Sequence, residues 1–309
     1  MRLLHKDLLG IQQLTAEEIG LILDTAKTMK MVLSANSKKT AHLQGRSVIT
    51  LFYENSTRTR LSFEMAAKFM GASSANVSSS GSSVNKGETL LDTAMTIDQM
   101  ATDILIMRHN QSGAPHLIAP RIKACVINAG DGMNEHPTQA LLDLFTMREH
   151  KGTLKGLKVA ILGDIVHSRV ARSNLYGLQK MGAEVRLAGP QTLLPQHIDR
   201  GQLHICQSHT EAAKQADVVM GLRLQLERMK KGLIPSISEY ARFFAVDRKL
   251  LDGASPDALI MHPGPCNHGV EMPSEIYDSP QSVIQEQVTN GLAVRMAILY
   301  LLVSRRNVE

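Results

Sequence analysis

The chain has 309 residues, 43% of them hydrophobic, which is apolar material enough for one large domain or two of medium size, and two are expected. Its 34 Lys and Arg against 29 Asp and Glu leave a net charge of +5, spread along the chain without a basic tail. Aromatic residues are 4% and Trp is absent, so a nucleic-acid surface of basic patches and stacking rings is not expected, and the excess charge suits small anionic substrates.

The first thirty residues carry Arg2, His5, Lys6, Asp7, Glu17 and Glu18, which breaks up any signal-peptide core. No unbroken apolar run reaches the roughly 18 residues of a membrane span, so no membrane partner is expected. Cys125, Cys206 and Cys266 are scattered and lack metal-ligand spacing. Free thiols in a reducing cytoplasm, with neither metal nor cofactor, are the reading that follows.

In chain order, the apolar run 48–52 predicts a buried strand and the pattern 61–70 the helix after it. Between them lies Phe52-Tyr53-Glu54-Asn55-Ser56-Thr57-Arg58-Thr59-Arg60. Ser56 is placed to cap the helix, and Thr57, Arg58 and Thr59 add donors at its positive end, where backbone N–H groups lack intrahelical partners. A phosphate or acyl phosphate fits such a site. Two arginines in a first turn oppose the helix dipole, which a plain capped surface helix has no reason to carry.

Strands over 75–77, 104–107 and 125–128 and helices over 90–100 and 138–147 continue the alternation. The Ser-rich run 78–83, ending at Lys86, reads as a mobile loop. After the Gly/Lys-rich stretch 151–156 a second series begins: strand 158–162, helix 168–181, strand 184–187, helix 211–215, and strands 217–220 and 258–261. A last helix, about 283–303, is apolar on more than one face and is expected to pack back across a domain interface. The expectation is therefore an α/β fold with two similar-sized domains, each a mainly parallel sheet flanked by helices. Residues 1–150 form the first, with the terminal helix, about 283–309, packed on it, and residues 151–282 the second.

Ligands of open α/β sheets bind beyond the carboxyl ends of strands, and the polar clusters fall there. Arg108-His109 follows the strand 104–107, and Asn128-Ala129-Gly130-Asp131-Gly132 and His136-Pro137-Thr138-Gln139 follow 125–128. Gly163-Asp164 through Arg169, then Arg223 and Gln225, then His262-Pro263-Gly264-Pro265 follow the later strands. A satisfied loop histidine explains His136 taken alone, and solvated charges explain Arg169 and Lys86. Their collection at strand ends weakens those separate explanations.

The segment 52–59 resembles the carbamoyl-phosphate signature of the aspartate/ornithine carbamoyltransferase family. Lys86-Gly87-Glu88-Thr89, Met107-Arg108-His109, the 128–132 and 136–139 motifs and His262-Pro263-Gly264-Pro265 extend the likeness over essentially the whole chain. Arg108-His109, Arg223-Leu224-Gln225 and the 262–265 motif follow the aspartate branch; ornithine enzymes typically carry His-Cys-Leu-Pro near the last of these.

The resemblance implies attack of the α-amine of L-aspartate on the carbonyl carbon of carbamoyl phosphate, giving N-carbamoyl-L-aspartate and phosphate, an early step of pyrimidine biosynthesis. It places Ser56, Thr57, Arg58 and Thr59 on the phosphate, with Ser82 beside them and Arg108 bridging phosphate and carbonyl. Thr59, Arg108 and His136 are the implied catalytic donors to the carbonyl oxygen, and Gln139 and the carbonyls around Gly264 and Pro265 the acceptors for the carbamoyl amide. Arg169 and Arg223, supported by Gln225 and Lys86, are the implied partners of aspartate. In this family the loop bearing Ser82 and Lys86 enters a neighbour's site, which implies a homotrimer, open to further assembly with regulatory or pathway subunits.

One departure is His268, where related enzymes usually carry Arg; a neutral imidazole is expected to weaken any ion pair that orders the loop. Three other readings compete. An ornithine-type transferase calls for an acidic or neutral pocket where Arg223 and Gln225 stand. A non-catalytic anion-binding subunit is expected to lack one of Arg58, Arg108 or His136, and none is lacking. A dinucleotide-binding protein calls for Gly-x-Gly-x-x-Gly, which the 163–168 turn does not supply.

Overall fold

The structure, a computed structural model, describes residues 2–78, 88–196, 203–226, 228–229 and 232–306. The chain divides into two compact units, Met1–Leu142 with Thr289–Glu309, and Asp143–Val288.

In the first unit, α1 (Ala16–Ser34) opens on a capping box: Thr15 Oγ1 accepts from Glu18 N–H, and the Glu18 carboxylate accepts from Thr15 N–H. It buries Ile19, Ile22, Leu23, Ala26 and Met29 at helical spacing. There follow β1 (Ser47–Phe52), α2 (Thr57–Phe69), β2 (Ser73–Ser78), α3 (Leu90–Gln99), β3 (Ile104–His109), α4 (Ala114–Ile118), β4 (Cys125–Asp131) and the start of α5 (Pro137–Lys151). The strands are parallel in the order β2-β1-β3-β4. Every residue of β3 and β4 is buried, as parallel strands covered on both faces must be.

The second unit contains β5 (Lys158–Leu162), α6 (Arg169–Lys180), β6 (Glu184–Ala188), β7 (Leu203–Ile205), α7 (His209–Ala213), β8 (Val218–Gly221), α8 (Ile237–Phe244), α9 (Arg248–Leu251), β9 (Leu259–Met261) and α10 (Ser274–Tyr277). Its sheet is parallel in the order β7-β6-β5-β8-β9. In both sheets the strand order reverses at a central pair, β1/β3 in one and β5/β8 in the other. At such a point the crossovers leave to opposite sides, and a crevice opens beyond the carboxyl ends of the pair.

The last helix, α11 (Ile284–Arg306), is long and apolar enough to cross a membrane by length and composition, although Glu286, Gln287, Asn290 and Arg295 break its apolar run. Its most apolar window is 72% buried inside the protein, which is the environment of a core helix. Ala293, Val294, Met296, Ala297, Ile298 and Leu299 are fully buried, and Arg295 donates to Ser62 Oγ at 2.9 Å and lies over the Phe63 ring, both on α2.

Candidate active site

The first candidate region is built on the β1/β3 crevice and the adjoining β4. Tyr53 N–H donates to the carbonyl of Arg108 at 2.9 Å, so the chain leaves β1 still stitched to β3 before α2 starts. Ser56 is the N-cap residue of α2, but its side chain makes no capping hydrogen bond, so the expected Ser56 cap is present in position only. The hydroxyl is thereby not committed to the helix it precedes. Thr57 and Arg58 are exposed in the first turn, and Thr59 is buried.

Arg108, near the end of β3, is 9% exposed, and its guanidinium is clamped on two sides. Nη1 donates to the carbonyl of Ala129 at 3.2 Å, and Nη2 pairs with Glu54 Oε1 at 2.5 Å. The neighbouring His109 accepts from Gln111 N–H through Nδ1 and packs on the Tyr53 ring at 5.0 Å. Burial lowers the His109 pKa, opposed by the Asp131 and Glu54 charges.

The β4–α5 connection is pinned by buried side chains. Asn128 Nδ2 donates to Asp131 Oδ1 at 2.8 Å and to the carbonyl of Leu9 at 2.8 Å, while its Oδ1 accepts from Gly130 N–H. Asp131 also accepts from the N–H groups of Gly113 and Glu135 and from the Asn134 amide. Glu135 Oε2 takes Ile11 N–H at 2.7 Å. His136, 5% exposed, follows this knot directly, its carbonyl accepting from Gln139 N–H at the start of α5. Gln139 is buried as well. Thus Ser56, Thr57, Arg58, Thr59, Arg108, His136 and Gln139 all come to the carboxyl edge of one sheet. Asn128, Asp131, Glu135 and Glu54, which position them, were not singled out as site residues by the sequence reading.

The second region uses the β5/β8 crevice. The turn after β5 passes Gly163 at φ +119°, where an added Cβ would lie 2.8 Å from Tyr240 Oη, so only glycine fits. Asp164 is fully buried; its Oδ1 accepts from His167 N–H and meets His167 Nδ1 at 2.8 Å, and its Oδ2 accepts from Gln225 N–H at 3.3 Å. Ser168 caps α6 through Ala171 N–H, and Arg169, the first residue of the helix, is 4% exposed.

After β8, Glu271 Oε1 accepts from Leu224 N–H at 2.9 Å, fixing the main chain between the half-buried Arg223 and Gln225. After β9, His262 N–H donates to Gln287 Oε1 at 3.1 Å, and His262 Nδ1 accepts from Gly264 N–H at 2.8 Å, which folds the 262–265 segment tightly. The Gly264–Pro265 bond is cis. Among the described residues His268 pairs with no carboxylate: its Nδ1 lies 3.2 Å from Ser274 Oγ and its ring packs edge-on against Tyr277 at 4.6 Å. Arg169, Arg223, Gln225, Gly264 and Pro265 therefore share the carboxyl edge of the second sheet. Ser82 and Lys86, and most of the Ser-rich run, lie outside the described residues.

A buried, carboxylate-held arginine and a histidine at the same sheet edge as the α2 start, with a second sheet edge bearing two arginines, fit an α/β enzyme that handles anionic substrates. The chain belongs to the aspartate/ornithine carbamoyltransferase family. Residues 6–149 match the family's carbamoyl-P binding domain, and residues 155–302 its Asp/Orn binding domain. It is 66% identical, over 99% of this chain and 97% of the relative, to an aspartate carbamoyltransferase catalytic subunit of Ruminiclostridium cellulolyticum. It is 63% identical to the protein of that name in Acetivibrio thermocellus, over 100% of this chain and 99% of the relative. Among solved structures it resembles aspartate transcarbamoylase of Trypanosoma cruzi in complex with carbamoyl aspartate and phosphate. That likeness has a TM-score of 0.87 at 30% identity, covering 95% of this chain and 94% of the other. Ornithine carbamoyltransferase of Pyrococcus furiosus matches with the same TM-score, 0.87, at 31% identity, covering 97% and 98%. The shared backbone thus carries both chemistries, and side chains must choose between them.

Proposed function

We propose that the chain transfers the carbamoyl group of carbamoyl phosphate to the α-amine of L-aspartate, releasing N-carbamoyl-L-aspartate and phosphate in pyrimidine biosynthesis. The observation that carries the choice of acceptor is the placement of Arg169 and Arg223 at the β5/β8 switch point. Two guanidinium groups match two carboxylates, whereas the side-chain ammonium of ornithine would be repelled there. The names of the relatives at 56–66% identity agree.

In this reading the phosphate lies on the α2 N-terminus, held by Ser56, Thr57, Arg58 and Thr59. Thr59, Arg108 and His136 direct donors at the carbonyl oxygen, where negative charge grows as the amine adds. The C–N bond forms as the amine adds, the C–O bond to phosphate then breaks with the amine proton passing to the departing phosphate, and no covalent enzyme intermediate is needed. Glu54 holds the Arg108 guanidinium in place before substrate arrives, so little reorganisation is left for the reaction itself. Gln139 and the carbonyls around Gly264 and Pro265 accept from the carbamoyl amide; Arg169, Arg223 and Gln225 bind aspartate.

Ser82 and Lys86 keep the roles that the family resemblance implies, delivered from a neighbouring subunit in a cytoplasmic homotrimer. A mixture of Lys86→Ala and Arg58→Ala chains, denatured and reassembled together, should then regain activity that neither parent has; a mixture that exchanges subunits and stays inactive contradicts the shared site. The reaction itself is tested by offering carbamoyl phosphate with L-aspartate and with L-ornithine in parallel. Carbamoylation of aspartate is expected, and turnover of ornithine alone would overturn the assignment.

A further inference from the structure

The segment after β9 turns back on itself so that three groups meet: the His262 ring, the Cys266 thiol and the Glu271 carboxylate, whose ligand atoms all lie within 4.8 Å of one another. We propose that these three residues form a binding site for a thiophilic divalent cation of the zinc class, and that its occupancy inhibits use of carbamoyl phosphate.

Imidazole, thiolate and carboxylate are a borderline-soft set that suits zinc. Tetrahedral zinc, with bonds of about 2.0 to 2.3 Å, holds its ligand atoms about 3.3 to 3.7 Å apart. Cys266 Sγ already stands 3.8 Å from Glu271 Oε2, so the cluster closes on an ion with side-chain movements of about an ångström. His262 and Glu271 are buried, and the half-buried Cys266 leaves a side for entry.

Glu271 is held in advance by Asn267 N–H at 2.6 Å, the Asn267 amide at 2.7 Å and Leu224 N–H, the outer partners a metal carboxylate requires. The Cys266 Sγ faces Glu271 Oε2 as a thiol. Binding then exchanges the S–H proton for an S–metal bond and releases that proton.

The inhibitory consequence follows from the histidine. Its Nδ1 accepts from Gly264 N–H. A metal on Nδ1 displaces that hydrogen bond; a metal on Nε2 requires the ring proton to sit on Nδ1, which turns the acceptor into a donor and breaks the bond too. In either case Gly264 is released from the position in which its carbonyl would meet the carbamoyl amide. The inhibition rests on the proposed reaction; the binding does not.

Both halves are tested on the full-length chain and Cys266→Ala, with Cys125→Ala/Cys206→Ala as a control for the other thiols. Co2+ titration should give a thiolate-to-cobalt charge-transfer band saturating at one ion per chain, and Zn2+ calorimetry the same stoichiometry. Cys266→Ala should lose the band and weaken Zn2+ binding at least about 100-fold, above the roughly 10- to 100-fold cost of losing an outer partner. Binding unchanged in Cys266→Ala, or a band that persists there and vanishes in the double control, would overturn the site. Zn2+ should raise the carbamoyl phosphate KM of the wild-type chain and leave that of Cys266→Ala unchanged. Stoichiometric binding without that change would overturn the inhibition and leave the site. A metal-free chain that carbamoylates no aspartate would instead contradict the proposed reaction.

Discussion

Arg108 and Arg223 stand at corresponding edges of the two sheets; in the first unit a carboxylate meets the guanidinium itself, and in the second carboxylates hold main-chain N–H groups beside it. Arg108 is held by Glu54 and the Ala129 carbonyl, while Glu271 and Asp164 accept from the N–H groups of Leu224 and Gln225; Arg223 and Gln225 are half-buried, and the Gln225 amide donates to the Arg223 carbonyl at 3.4 Å. A group that must meet charge developing at one atom gains from being fixed in advance. For side chains that grip a whole small molecule, a fixed main-chain root sets where they can reach. Under the proposed reaction, the difference suits the first unit to the chemistry and the second to recognition of the acceptor.

The largest expected effect is on the first side of that contrast. His136→Ala should lower turnover about 10²- to 10³-fold, the scale of one lost oxyanion donor, with a smaller change in carbamoyl phosphate affinity. Steady-state kinetics checks the split, and unchanged turnover in a folded variant would remove His136 from the chemistry.

The units should also differ in their response to acid. His209 on α7 is buried, which lowers its pKa to about 4; the carbonyl oxygens near it, of Ala188 and Phe244, oppose the shift without reaching hydrogen-bonding geometry. His109 in the first unit has the carboxylates of Asp131 and Glu54 to offset its burial. The unfolded chain protonates His209 near pH 6.5 and the folded chain only near 4, so the unfolded state binds more protons across that window. Stability should fall as pH drops from about 6.5 to 4, by up to about 3 kcal/mol from this group. Hydrogen exchange should show the second unit opening first, and His209→Gln should flatten the slope measured by denaturant unfolding.

A smaller effect, about 2 kcal/mol, is expected for Gly163→Ala, where the φ of +119° and the 2.8 Å approach to Tyr240 Oη exclude a side chain. Thermal unfolding checks it, and a neutral substitution would show that the β5 turn is not fixed as tightly as its packing implies.

Much of this was legible in the sequence because parallel strands are short apolar runs and their ligands come after them. The strands over 48–52, 104–107, 125–128 and 158–162 lie where the runs predict, and the candidate cations follow their ends. Helix α1 is harder to read although Thr15 and Glu18 spell its capping box, because its apolar positions are interleaved with Lys and Thr. The three-residue β7 has too few residues for a periodicity to register. The predicted 211–215 helix sits two residues early, at His209–Ala213, since Ser208 caps it through Glu211 N–H.

The site is a different case. Motifs named the groups that would face the substrate, but nothing local marks Glu54 as the partner of Arg108 or Glu271 as the anchor of Leu224, contacts 54 and 47 residues apart in sequence. Such partners are set by which strands are neighbours, and that is a property of the fold. Ser56 shows the converse: a strong local capping signal whose side chain the structure leaves out of the cap.

Whether the two substrates are divided between the units is decided by calorimetry of carbamoyl phosphate binding to Arg58→Ala and Arg223→Ala in the absence of aspartate. Arg58→Ala should lose roughly 2 to 4 kcal/mol of binding, the cost of a charge-assisted contact, while Arg223→Ala binds as the wild type does and shows its defect only as a raised aspartate KM. Loss of carbamoyl phosphate binding in Arg223→Ala would contradict the division.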